Sequence, residues 1–197
     1  MRNEVQSNLS VAMDFDMPIA ARVAAARRLG ELGDRDVVIP LGVLFGQTDS
    51  ELREELSRTL KRLDATAAII RDLKSPMPPR RIRATQVLAL IGDVGSVSAL
   101  IDALEDPCAK VRESAASSLY SFRDGRAIPG LARVLSEDPD ADVRGAAAQA
   151  LGEISAFAAV DALERTLHDE KDRFTKILIE RSITRWRANS SVADLLL

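Results

Sequence analysis

The sequence predicts an all-α protein, an α-solenoid in which about five helix pairs stack as a right-handed superhelix. Three observations carry this. Five segments align without gaps: RVAAARRLGELGD (22–34), REELSRTLKRLDA (53–65), RIRATQVLALIGD (81–93), RESAASSLYSFRD (112–124) and RGAAAQALGEISA (144–156). Their leading arginines, Arg22, Arg53, Arg81, Arg112 and Arg144, recur at intervals of 31, 28, 31 and 32 residues. Behind each arginine, apolar residues recur at helical spacing and a second apolar pair follows.

The elements follow in chain order. Residues 4–15 (EVQSNLSVAMDF) read as an amphipathic N-capping helix. Repeats are expected at approximately 18–46, 50–74, 78–105, 107–137 and 140–169, a C-terminal helix at 171–187 and a tail at 188–197, all in one domain, 1–197. In each repeat Leu29, Leu60, Leu88, Leu119 or Leu151 shares a helix face with Leu32, Leu63, Ile91, Phe122 or Ile154. Ala25, Ala84, Ala115 and Ala147 leave room for a neighbouring helix. Gly33-Asp34 and Gly92-Asp93 end the first helix, Gly by accepting positive φ and Asp by bonding free N–H groups of the next. The second unit reads Leu63-Asp64-Ala65 instead and is three residues short between its helices. Second helices carry Leu41/Phe45, Ile69/Leu73, Leu100/Leu104, Leu131/Leu135 and Leu163/Leu167. Asp106-Pro107 and Asp138-Pro139 mark breaks between units. Such faces cannot be buried within one pair, so the units stack, first helices outside and second helices lining the inner surface.

Arginine, small pair, Leu-Gly and Ile-Gly-Asp, seen best in VRGAAAQALGEI (143–154) and RIRATQVLALIGD (81–93), resemble HEAT-like repeats of the phycobilisome-lyase type over roughly residues 18–169. The resemblance implies a binding scaffold. A minority of such proteins attach or remove bilin chromophores, so a bilin lyase subunit or bilin-handling chaperone is the alternative it carries. No catalytic residue transfers, because the matching positions build the repeat.

Composition narrows the function classes. Net charge is −3, against a general nucleic-acid binder. The charge is uneven: residues 51–83 hold nine basic and five acidic side chains, and 84–170 hold seven and fifteen. One cysteine excludes an intrachain disulfide and suits a reducing compartment. MRNEVQSN lacks the pattern of a signal peptide, and the longest apolar run, Val37 to Phe45, is too short for a bilayer. The expected location is cytoplasmic, without a membrane role.

Candidate chemistry is sparse. The repeated arginines read as architectural, each bonding an acid or carbonyl of an adjacent unit. His168 stands alone, so a multi-histidine metal site is excluded, and a solvated helix end explains it better than a general base near Asp161 and Glu164. Cys108 follows Asp106-Pro107 at a helix start, where a thiolate would be stabilised, although space filling in a turn explains it more simply. No cofactor is called for.

A binding surface is better founded. Equivalent positions of the second helices give Val43, Arg71, Asp102, Arg133 and Arg165, and three residues later Gly46, Lys74, Glu105, Ser136 and His168. A mixed-charge row of this kind, with Arg71, Lys74, Asp102, Glu105, Arg133, Arg165 and His168 as its charged or titratable members, steers a protein partner. The helix VVIPLGVLF (37–45) has no polar face, so either the N-terminal helix covers it or a partner does. The Leu195–Leu197 tail poses the same choice. The expected function is protein–protein interaction, with a monomer as the default state.

Overall fold

The computed structural model describes residues 1–44, 50–154 and 156–194, the side chains of Arg35, Ile39 and 189–194 excepted. Phe45, Gly46 and the Leu195–Leu197 tail lie outside the described residues. Among those described, all regular structure is helical: α1 (Arg2–Met13), α2 (Ile19–Leu32), α3 (Val38–Leu44), α4 (Ser50–Arg62), α5 (Thr66–Asp72), α6 (Pro78–Ile91), α7 (Val97–Asp102), α8 (Ala109–Tyr120), α9 (Ile128–Glu137), α10 (Ala141–Glu153), α11 (Phe157–Leu167) and α12 (Arg173–Asp194). The helices alternate between two layers, as in an α-solenoid. The even-numbered helices α2 to α10 carry the repeat arginines, and the odd-numbered α3 to α11 return the chain.

Turn chemistry explains the alternation. Gly33, Asp64, Gly92 and Arg123 occupy one repeat position and all have positive φ, 72°, 50°, 65° and 51°. This left-handed residue stops the first helix, and only glycine takes it without strain. In three units the next residue is an aspartate whose Oδ1 accepts a backbone N–H two residues on: Asp36 to Asp34, Gly95 to Asp93 and Arg126 to Asp124, each at 2.9 Å. That bond starts the short 3-10 turn leading into the second helix.

The repeat leucines Leu29, Leu60, Leu88, Leu119 and Leu151 are fully buried, with Leu41, Ile69, Leu100, Leu131 and Leu163 of the second helices packed against them. Burying each such side chain stabilises the fold by about 2 kcal/mol. First helices approach closely enough for hydroxyls to reach the neighbouring backbone. Thr59 Oγ1 donates to the Ala26 carbonyl (3.0 Å), Ser118 Oγ to Thr85 (3.0 Å) and Ser182 Oγ to Ala148 (3.0 Å). Four residues beyond those carbonyls stand Gly30, Ala89 and Gly152, and a Cβ at Gly152 would meet Ser182 Oγ at 2.6 Å. The second residue of Leu-Gly is small because a hydroxyl of the next helix passes over it.

The helix α12 repeats this relation to α10 through Ser182 and through Thr175 Oγ1, which donates to the Ala141 carbonyl (3.1 Å). It is a sixth first helix, and it continues past Arg187 to Asp194. The stacking is not uniform. The run α6, α8, α10, α12 packs side by side, as do α2 and α4, but α4 and α6 meet over a shorter stretch. There α3 reaches across to α6, and a Cβ on the buried Gly42 would lie 2.9 Å from Val87 Cγ2.

Candidate functional site

The repeat arginines divide into two groups. Arg81 grips Asp106 with Nε and Nη2 (2.6 and 2.7 Å), Arg112 grips Asp138 (2.7 and 2.9 Å) and Arg144 grips Glu170 (2.8 and 2.8 Å). The third nitrogen of each reaches back to a carbonyl: Arg81 to Ser75 (2.8 Å), Arg112 to Asp106 (2.9 Å) and Arg144 to Asp138 (2.9 Å). Asp106 and Asp138 thus each serve two arginines, by carboxylate and by carbonyl. Each acid also caps the turn that begins the next unit, accepting the N–H of Cys108, Asp140 or Asp172. The result is a continuous internal ladder of forked, charge-assisted bonds.

Electrostatics agrees with the geometry. Burial alone would push the Asp106 and Asp138 carboxyls up, but the arginine forks and the capping N–H groups outweigh it and leave both below the usual carboxylate range. For Glu170 the Arg144 fork is the leading influence, and its carboxyl is lowered too. These side chains are occupied by architecture.

Arg22 is buried by another route. Its Nε donates to the Ala12 carbonyl (3.1 Å), its guanidinium lies 4.5 Å from the Phe15 ring centre, and among the described residues Nη2 has no partner. Arg53 lies exposed on α4.

The predicted interaction row is on the surface. Arg71, Lys74, Asp102, Glu105, Arg133, Arg165 and His168 are all exposed, within the odd-numbered helices or just beyond their ends. Two of its cations are partly neutralised, Arg133 by the row's own Glu105 across a unit boundary and Arg165 by Asp161 (2.6 Å). His168 caps the end of α11, and the nearby Glu164 is paired with Arg187 (2.7 Å), so no acid–base pair forms around it. Cys108, half-buried, is the residue before α8, and its N–H goes to Asp106 (2.8 Å). Among the described residues no group of three or more His, Cys, Asp or Glu side chains could hold a metal ion, and no helix is long and apolar enough to cross a membrane.

Two cavities at the irregular junction had no counterpart in the sequence pattern. A groove of about 780 Å³ runs between α6 and α8 under Gly42 and Val43 of α3, lined by Arg83, Gln86, Lys110 and Glu113. Beside it lies a pocket of about 380 Å³ among Gly42, Ile69, Met77, Ala84 and Val87, rimmed by Asp72, Arg80 and Arg83. Within the predicted segment, α3 is therefore not covered by α1 alone. Val37, Val38, Leu41 and Leu44 are buried, α6 packs against Gly42, and Val43 remains exposed towards the groove.

Comparison with known proteins matches this architecture. The family described as HEAT repeats matches residues 66–152 and, overlapping, 97–184. A phycocyanobilin lyase subunit alpha from Picosynechococcus sp. is 36% identical over 80 residues, 39% of this chain and 30% of that subunit, so the matched part spans less than a third of the relative's length. Among solved structures, the complex of CpcE and CpcF of phycocyanin lyase from Nostoc sp. superposes with a TM-score of 0.59 at 20% identity, covering 76% of this chain and 99% of that one. Human deoxyhypusine hydroxylase in complex with glycerol superposes at 0.57 and 21% identity, covering 95% and 75%. At such identities the structural matches speak for the fold.

Proposed function

The chain belongs to the HEAT-repeat family, and from that premise we propose that it is a protein–protein interaction scaffold whose contact surface is the second-helix row. One observation carries this reading: the polar residues divide by layer. The ladder arginines of units three to five are turned inward and paired, whereas Arg71, Lys74, Asp102, Glu105, Arg133, Arg165 and His168, on or just after the second helices, are each exposed. Exposed charges of both signs set register and speed encounter with a complementary partner. The double reversal Arg133→Glu with Arg165→Glu is expected to weaken binding to a purified partner at least tenfold, with the helical circular dichroism unchanged. Undiminished binding would discard the row as the contact surface.

A second reading is favoured by the match to the phycocyanobilin lyase subunit: a role in handling bilins, as a lyase subunit or chaperone. A free bilin mixed with the chain, with and without an antenna subunit, then changes its absorbance spectrum. An unchanged spectrum in both mixtures rejects this reading. The cytoplasmic assignment and the monomeric default belong to the same proposal.

A further inference from the structure

The junction of the second and third units breaks the solenoid's regularity, and its cavities fall outside the second-helix row. The second unit is three residues short between α4 and α5 (Thr66–Asp72), and α3 leans onto α6 where Gly42 has no side chain to hold it off. That contact supplies a third wall to what would otherwise be a shallow furrow between two first helices. Groove and pocket share Gly42 and Arg83 as lining residues, so they adjoin across α6.

Its chemistry is graded. The pocket end is apolar, formed by Ile69, Ala84 and Val87 with Met77, 61% exposed, as an adaptable lip. At its rim Arg80 is held by Asp72 (2.9 Å), and in the groove Lys110 is held by Glu113 (2.8 Å). Arg83, between the two cavities, has no ion-pair partner among the described residues. A ligand filling both therefore meets one apolar socket and one uncompensated cation a few residues apart.

We propose that this depression is a second docking site, taking a protein segment with a bulky apolar side chain in the pocket and an adjacent carboxylate on Arg83. Both volumes fall within the roughly 300–1,000 Å³ of ligand-sized pockets. An apolar anchor in a pocket with a charge-assisted bond beside it is the usual form of a strong local contact. A basic segment would be repelled by Arg83. The proposal rests on the binding-module reading only in assuming a protein partner, and it uses none of that reading's residues.

The test is to pan a phage library of random dodecapeptides against the full chain and measure the selected peptides by fluorescence anisotropy. Selected peptides are expected to carry Asp or Glu within two positions of Phe, Trp, Leu or Ile. Arg83→Glu and the groove-filling Gln86→Trp are each expected to weaken them at least tenfold, with helical content unchanged. The Arg133→Glu, Arg165→Glu double variant is expected to bind them normally. No selection of such peptides, or equal binding to the Arg83 and Gln86 variants, would overturn the proposal. Peptides lost only on the row variant would overturn it while supporting the second-helix surface, and loss on both variant classes would overturn the depression as a separate site.

Discussion

Units three to five and units one to two answer the same problem, how to hold one helix pair on the next, in different ways. In the later units an arginine forks onto an acid that also starts the following unit, and the pattern runs unbroken from Ser75 to Asp172. In the earlier units Arg22 turns back to α1 and stacks on Phe15, Arg53 is exposed, and α3 crosses to α6. The HEAT-repeat match begins at residue 66, at the start of α5, and takes in all of units three to five. Regularity comes from shared polar partners more than from the apolar core, since Leu29 and Leu60 are buried as fully as Leu88, Leu119 and Leu151.

That contrast can be broken most directly at a rung. Arg112→Ala leaves Asp138, whose side chain is 4% exposed, without its fork, and a cost of about 3 kcal/mol is expected in urea unfolding. Arg22→Met, which keeps a long apolar side chain and gives up one carbonyl bond and the Phe15 contact, is expected to cost about 1 kcal/mol. Equal costs would show that the ladder adds nothing special.

Acid should act on the same side of the molecule. Asp106, Asp138 and Glu170 have lowered carboxyl pKa values in the fold, so the stability they contribute is present above the ordinary carboxylate range and is lost as pH falls through the lowered values. Asp124, held at about 2 chiefly by the Arg126 side chain, loses its share between the ordinary range and about pH 2. Hydrogen exchange followed from pH 6 to pH 3 should therefore show α8, α10 and α12 losing protection by a larger factor than α2. A uniform loss would contradict the assignment.

The smallest effect should be the same in both regions. A Cβ at Gly33 or Gly92 meets nothing closer than 4.0 Å, so only the left-handed backbone resists a side chain. Alanine at either is expected to cost about 1 kcal/mol, read as a fall in Tm. A markedly larger loss at Gly92 would mean that its turn also carries ladder strain.

Much of the fold was legible because helix periodicity, the left-handed stop and the capping aspartate are local. The partner of each ladder arginine was not. Asp106 and Asp138 read as break markers before proline, and only folding brings them to arginines 25 and 26 residues earlier. That nearly constant offset is a signal in the sequence, and it extends to Glu170, 26 residues behind Arg144. The hydroxyl contacts of Thr59, Ser118 and Ser182 were hidden because serine and threonine on a helix look like surface residues. The junction cavities were hidden for a different reason. They depend on three missing residues and on Gly42 meeting Val87, a contact between units that are not neighbours in the repeat order.

The ladder also gives the molecule a mechanical character. Because Asp106 and Asp138 each hold one arginine by carboxylate and the next by carbonyl, tension applied along the stack passes through the rungs in series. The shorter α4–α6 contact interrupts that load path. A chain pulled from its ends should extend first at this joint, while the segment from α6 to α12 keeps its length like a stiff spring clipped to a soft one.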